Sequence, residues 1–371
     1  MHISSVSVFN IFGSTETRTI DLDAPVVILT GYNGAGKSTL LGVLHSTLSV
    51  SNGQEYLFPK SDWGCSVKFS NDTEVVHVKT ARVLPDNFSP PSIRKNKNAD
   101  YLKSYYEAIQ EITVDRGDKR GVIVRREGEG RNALSTNVVS IRPGKGGVRA
   151  SSVLYGDEIF SSKQDDLESK KFEDLDIFSK KKNLDKTFFL LQTEFSAQAK
   201  VSDGSGMTAE LMDVIDKALT VLGHLKKNEA NELRVQVDAL EKIREKKFVS
   251  NPFLKEANVF FATTNRELRL GANGFLFMKT SHGDVNWYDF SKGEKTLLCL
   301  LLVAYLTGDK EMVFLLDEPD LSLHIKWQRQ LLTSMRALAP NSQYIVATHS
   351  PALVGRTEGE AVINVGAISK G

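Results

Sequence analysis

Four short stretches of this chain carry residue types that handle phosphate and water. The first is Gly31-Tyr32-Asn33-Gly34-Ala35-Gly36-Lys37-Ser38, followed by Thr39, which fits GxxxxGK[ST] at every fixed position. Phosphate oxygens need several backbone N–H donors converging at once, and glycines let the backbone curl tightly enough to supply them. Lys37 brings a positive charge to the β- and γ-phosphates, and the Ser38 hydroxyl can ligand Mg2+. The second stretch is Met312-Val313-Phe314-Leu315-Leu316-Asp317-Glu318, an apolar run ending in two carboxylates. Asp317 suits the hydration shell of a Mg2+ ion, and Glu318 is placed to orient or deprotonate an attacking water.

Ser291-Lys292-Gly293-Glu294 comes third, ahead of the apolar run Leu297 to Leu306. By itself it reads as a capped helix start whose bare N–H groups form a further anion site. The fourth stretch, Tyr344-Ile345-Val346-Ala347-Thr348-His349, ends a third apolar run in a histidine suited to sensing a γ-phosphate.

The surrounding pattern is that of alternating strands and helices. Val26 to Leu29 reads as a strand buried on both faces, running through the glycine loop into a helix at Ser38 to Leu48. Thr187 to Gln192, Val259 to Leu270 and Phe275 to Thr280 read as strands. Helices are expected at Lys295–Leu306 and His324–Leu338, with strands at Met312–Leu316 and Tyr344–Ala347. Leu211, Ile215, Leu219, Leu222 and Leu225, then Leu233, Val237, Leu240 and Ile243, form a broken apolar stripe at helical spacing. Arg116 to Arg149 is rich in Gly and Arg, with a local excess of positive charge and short β-like runs at Val122–Val124 and Val138–Val139.

At this point the chain resembles ABC-type ATPase heads of the SMC/RecF/OLD group. Leu323-His324 after the acidic pair, Gly293-Glu294 after Ser291, and Thr348-His349-Ser350-Pro351 are similar to the overcoming-lysogenization-defect ATPases. They also resemble anti-phage ATPases of the Septu and PARIS systems. The resemblance implies an α/β P-loop NTPase: an ABC-type head with a mixed sheet, interrupted by a short coiled-coil and β insert. It divides the chain into a head lobe at 1–85, an insert at 86–186, a return to the head at 187–206, a helical arm at 207–250 and the remaining head at 251–371.

The resemblance also implies ATP and Mg2+ as ligands. ATP would be bound by Gly31, Asn33, Gly34, Gly36, Lys37, Ser38 and Thr39. Catalysis would fall to Glu318, Lys37 and His349, and metal binding to Ser38, Asp317 and Gln192, the last as the glutamine-loop residue. Ser291, Lys292, Gly293 and Glu294 would be the signature that reaches, in trans, the nucleotide of a second head in an ATP-sandwiched homodimer or higher oligomer. Lys292 departs from the small residue usual at its position. Only 22 residues follow His349, so the resemblance implies a separate nuclease or toxin as effector, in anti-phage defence.

Other readings fit the same residues. A RecF-type repair ATPase would bind nucleic acid through Arg116 to Arg149, and a small-molecule kinase would use the phosphate loop alone. Composition narrows the class without choosing: 371 residues, 41% hydrophobic, 25% charged and net charge +1 exclude a chain dominated by a basic tail. The longest apolar run covers ten residues, half a membrane span. Two distant cysteines, Cys65 and Cys299, fit a reducing, cytoplasmic setting.

Overall fold

The computed structural model describes residues 2–11, 17–51, 63–80, 122–127, 135–142, 151–156, 159–161, 183–201, 251–271, 274–308, 310–355 and 358–368. They fall into two compact units. One comprises Met1–Asp166, Lys310–Leu321 and Asn341–Gly371; the other comprises Leu167–Asp309 and Ser322–Pro340.

The first unit contains two six-stranded sheets. Strands β3 (Val26–Thr30), β8 (Ser151–Gly156), β9 (Ile159–Ser161), β13 (Met312–Asp317), β14 (Gln343–Ala347) and β15 (Glu360–Asn364) form one, in the order β15-β3-β14-β13-β8-β9. All its pairings are parallel except β8 with β9. Its central strands are continuous apolar runs because both faces are covered, which is why they read as buried from the sequence. Strands β1 (Ile3–Phe9), β2 (Arg18–Asp21), β4 (Trp63–Phe69), β5 (Glu74–Thr80), β6 (Val122–Glu127) and β7 (Ser135–Arg142) form the other sheet, entirely antiparallel, in the order β2-β1-β4-β5-β7-β6.

Helix α1 (Lys37–Ser51) lies in the core between the sheets. Leu40, Leu41, Leu44 and Leu48 join Val27, Leu29, Val313 and Ile345 from the parallel sheet with Val6, Cys65 and Val67 from the other. The buried Gln343 also stitches the two sheets. Its Oε1 accepts from Ile3 N at 2.8 Å, and its Nε2 donates toward the carbonyls of Ile3, Leu22 and Ala24 at 2.8–3.0 Å. A buried amide persists where its hydrogen bonds are met in this way.

The second unit is helical, with a small antiparallel sheet of β10 (Glu267–Leu270), β11 (Leu276–Thr280) and β12 (Gly283–Asn286). Its helices are α2 (Asn183–Val201), α3 (Pro252–Phe261), α4 (Lys292–Leu306) and α5 (Ile325–Leu338). A four-residue α6 (Val365–Ile368) belongs to the first unit. Helix α4 is buried almost all round, and Phe195, Phe253 and Tyr305 from α2, α3 and α4 pack ring against ring at 4.9–6.1 Å. Among the described residues no helix is long and apolar enough to cross a membrane.

The α/β class is as expected, but two strand expectations need correction. Thr187 to Gln192 is not a strand: it lies inside α2, with Phe188, Gln192 and Phe195 buried at helical spacing. Val259 to Phe261 ends α3, and a 3-10 turn at Ala262–Thr264 precedes β10. Of the expected insert at 86–186, the described strands β6 and β7 extend the antiparallel sheet and β8 lies directly beside β13. The expected arm at 207–250 lies outside the described residues.

Candidate functional site

In the first unit, β3, β14 and β13 are adjacent and parallel, so their carboxyl ends open on one edge of the sheet. Ligands of open α/β sheets bind at that edge. The glycine loop leaves β3 there. Gly31, Gly34 and Gly36 take φ of 140°, 81° and 94°, the region that favours glycine. A Cβ on Gly31 would come within 3.0 Å of Gly366 N, so this turn tolerates no side chain. Asn33, Gly34 and Ser38 are exposed, whereas Lys37 is only 6% exposed.

The Lys37 ammonium donates to Gly31 O at 3.3 Å and to His349 Nε2 at 2.7 Å. An ammonium can only donate, so Nε2 is the acceptor in this pair. Neither acceptor brings the negative charge that a buried cation calls for. The Glu318 carboxylate is close enough to interact electrostatically with this ammonium.

Glu318 follows the end of β13 with φ of 48°, a left-handed conformation costing a non-glycine residue about 1–3 kcal/mol. Its N–H donates to Ala347 O at 2.8 Å, which fixes the turn against β14. The carboxylate accepts from the His349 backbone N–H and lies 3.5 Å from His349 Nε2. Burial pushes the Glu318 carboxyl above its usual 4.5, and the nearby Asp320 adds to the rise; His349 and Lys37 oppose it. A carboxylate raised in this way is a better proton acceptor. Asp320 accepts from the Thr348 hydroxyl at 2.6 Å, and Thr348 Oγ1 accepts from Ser350 N at 2.9 Å. The loops after β13 and β14 are thereby tied together beneath Glu318 and His349.

Asp317 closes β13 beside Gly156, the last residue of β8. A Cβ on Gly156 would sit 3.4 Å from Asp317 Cβ and 3.8 Å from its Oδ2. The sequence reading missed Gly156 because the strand that carries it was not recognised. Ser38 and Asp317 offer hard oxygen donors. Among the described residues no cluster of three or more His, Cys, Asp or Glu could hold a metal ion. That donor set fits Mg2+, which takes one or two protein oxygens and completes its shell with water and phosphate.

The residues expected to form the signature lie in the second unit. Ser291 caps α4: its Oγ accepts from Glu294 N at 3.3 Å, and Glu294 Oε2 accepts from Ser291 N at 2.7 Å. This reciprocal box satisfies two N–H groups that a bare helix start would leave open. Gly293 is sterically required, because a Cβ there would fall 2.4 Å from Ser322 O. Ser291 and Lys292 are exposed. Two part-buried ion pairs brace the segment, Arg266 to Glu294 at 2.5 Å and Lys295 to Asp185 at 2.6 Å. Neither cation was singled out by the sequence reading.

Gln192, expected as a metal ligand, lies in the second unit. It is wholly buried on α2, and its Oε1 accepts from Leu276 N at 3.2 Å, so it secures the end of β11. The side chains of the expected basic surface at Arg116 to Arg149 lie outside the described residues, apart from Val139 and Ile141.

A family model described as an AAA domain matches residues 5–257, more than half of the chain. The chain belongs to the AAA-domain family. A second AAA-domain model, whose description mentions the AbiEii toxin and type IV toxin–antitoxin systems, matches residues 208–355. The two spans together contain the glycine loop, the signature residues, the acidic pair and His349 of this AAA-domain chain.

Two curated relatives share shorter stretches. The Retron Vc95 probable ATPase of Vibrio cholerae serotype O1 biovar El Tor is 30% identical over 90 residues, covering 21% of this chain and 18% of that protein. The Septu protein PtuA of Bacillus thuringiensis is 29% identical over 94 residues, covering 21% and 23%. The chain thus spans about a fifth of each relative's length. Among solved structures, the SMC head domain from Thermotoga maritima aligns over 98% of this chain and 97% of its own, with a TM-score of 0.41 and 14% identity. An SMC head bound to the C-terminal winged-helix domain of ScpA aligns over 99% and 95%, with a TM-score of 0.43 and 15% identity.

Proposed function

We propose that this AAA-domain protein binds and hydrolyses ATP, closes head to head with a second copy while ATP is bound, and thereby controls a separate effector in anti-phage defence. The observation that carries the ATPase reading is the chain of contacts Lys37–His349–Glu318, at the carboxyl ends of three neighbouring parallel strands. The AAA-domain family and the similarity to the retron and Septu proteins support it. That similarity also supports the defence setting.

In this reading the glycine loop and Lys37 hold the triphosphate. Ser38 and Asp317 would hold Mg2+, which would neutralise charge on the phosphate oxygens. Glu318 takes the proton from the attacking water, and its raised pKa makes it a competent base. His349 leaves Lys37 as phosphate arrives and turns its imidazole toward the transferring group. Ser291 and the amides beside it approach the nucleotide held by the second copy.

The test is a pair of variants assayed for nucleotide binding and for phosphate release. Lys37→Ala should lose ATP binding. Ser291→Arg should bind ATP as the parent does but release no phosphate. Unchanged ATP affinity in the first variant would contradict the phosphate-loop assignment, and parental turnover in the second would contradict a signature acting in trans.

A further inference from the structure

Arg266 lies 28 residues from Glu294 in sequence, in the turn between α3 and β10, and belongs to none of the phosphate-handling stretches. Three contacts hold it. Its guanidinium is 5.5 Å from the centre of the Phe261 ring, its Nε donates to Thr264 Oγ1 at 3.0 Å, and its Nη1 donates to Glu294 Oε1 at 2.5 Å. The Glu294 side chain is only 10% exposed, and its other oxygen holds the backbone N–H of Ser291. One carboxylate therefore joins Arg266 to the first residue of the signature.

The geometry assigns Arg266 as a positioning residue for the signature, an assignment that rests on the proposed action of Ser291 to Glu294 on a second copy's nucleotide. A capping glutamate without a cation can leave the Ser291 N–H for water, because the box by itself fixes only one of its oxygens. Arg266 fixes the other, so the carboxylate plane and the Ser291 amide keep one orientation. Asn265, in the left-handed region at φ 51°, turns the chain immediately before it. Phe261 closes α3, so the signature is braced against that helix and not only against its own first turn.

The role differs from general support of the fold in where its loss is felt. In a closed pair each nucleotide meets the phosphate loop of one copy and the signature of the other. Arg266→Ala should keep the ATP affinity of the parent and lower kcat about ten- to a hundredfold, the range expected for losing a hydrogen bond between charged groups. Mixed with equal Lys37→Ala protein, it should regain activity, because one site of the mixed pair combines an intact loop with an intact signature.

Two companion variants separate positioning from folding. Glu294→Gln keeps an acceptor for Ser291 N but loses the charge, and should lower kcat in the same direction. The exchanged pair Arg266→Glu with Glu294→Arg should restore part of the ion pair but not the capping box, and should stay slow. Parental kcat for Arg266→Ala, or a loss that Lys37→Ala does not complement while it does complement Ser291→Arg, would overturn the assignment and leave the proposed ATPase standing. Parental turnover in Ser291→Arg would overturn both.

Discussion

Gly293→Ala asks how much the signature depends on one close approach. The added Cβ would fall 2.4 Å from Ser322 O, and Cβ atoms essentially never come within 3.0 Å of another heavy atom. The start of α4 and the backbone at Ser322 must therefore separate by about 0.6 Å or more. Neither group is the end of a flexible side chain, so the strain cannot relax by a rotamer change. Overpacking of this kind costs about 1–3 kcal/mol, while alanine in place of glycine inside a helix returns about 1 kcal/mol. The net loss of stability is thus about 0–2 kcal/mol, and the protein should remain folded. Function should suffer more, because misplacing a catalytic group by about 1 Å can cost about a hundredfold. We expect a small downward shift in thermal unfolding, unchanged ATP binding by calorimetry, and phosphate release reduced about tenfold or more. Parental turnover together with the expected shift in unfolding would show that the position of α4 does not limit hydrolysis. Loss of ATP binding would show that the effect is not confined to the signature.

Asp320→Asn removes the charge that, after burial, most raises the Glu318 carboxyl, while its amide oxygen can still accept from Thr348. With Glu318 as the proposed base, active when deprotonated, the acid limb of the kcat profile should move to lower pH; a limb that stays in place would show that Glu318 is not the titrating base. Burial lowers His45 from 6.5 to about 4, so the unfolded chain binds a proton there that the folded one does not. The stability it contributes is present above about 6.5 and is lost as pH falls toward 4. His45→Gln should flatten the drop in unfolding temperature across that window, and an unchanged slope would refute the linkage.

The phosphate loop, the acidic pair and His349 were legible because each ends an apolar run long enough to name a buried strand. The geometry of glycine and lysine at fixed spacing is local. Strand β8 was not legible: Ser151-Ser152-Val153-Leu154-Tyr155-Gly156 is short and half polar, and its partner β13 lies more than 150 residues away. Gly156 went unnoticed for the same reason. Phe188-Phe189-Leu190-Leu191 reads as a strand because four apolar residues in a row fit either period. Only burial of Phe188, Gln192 and Phe195 on one face resolves it as helix. Arg266 carries no sequence signal, since its meaning depends on a glutamate that the fold brings to it.

The central claim, that ATP closes two copies and hydrolysis reopens them, is tested most directly by sedimentation of Glu318→Gln protein with and without Mg2+-ATP. Removing the base while keeping the nucleotide site should leave the closed pair trapped: monomer without nucleotide, stable dimer with ATP. A species that sediments the same with and without ATP would contradict it.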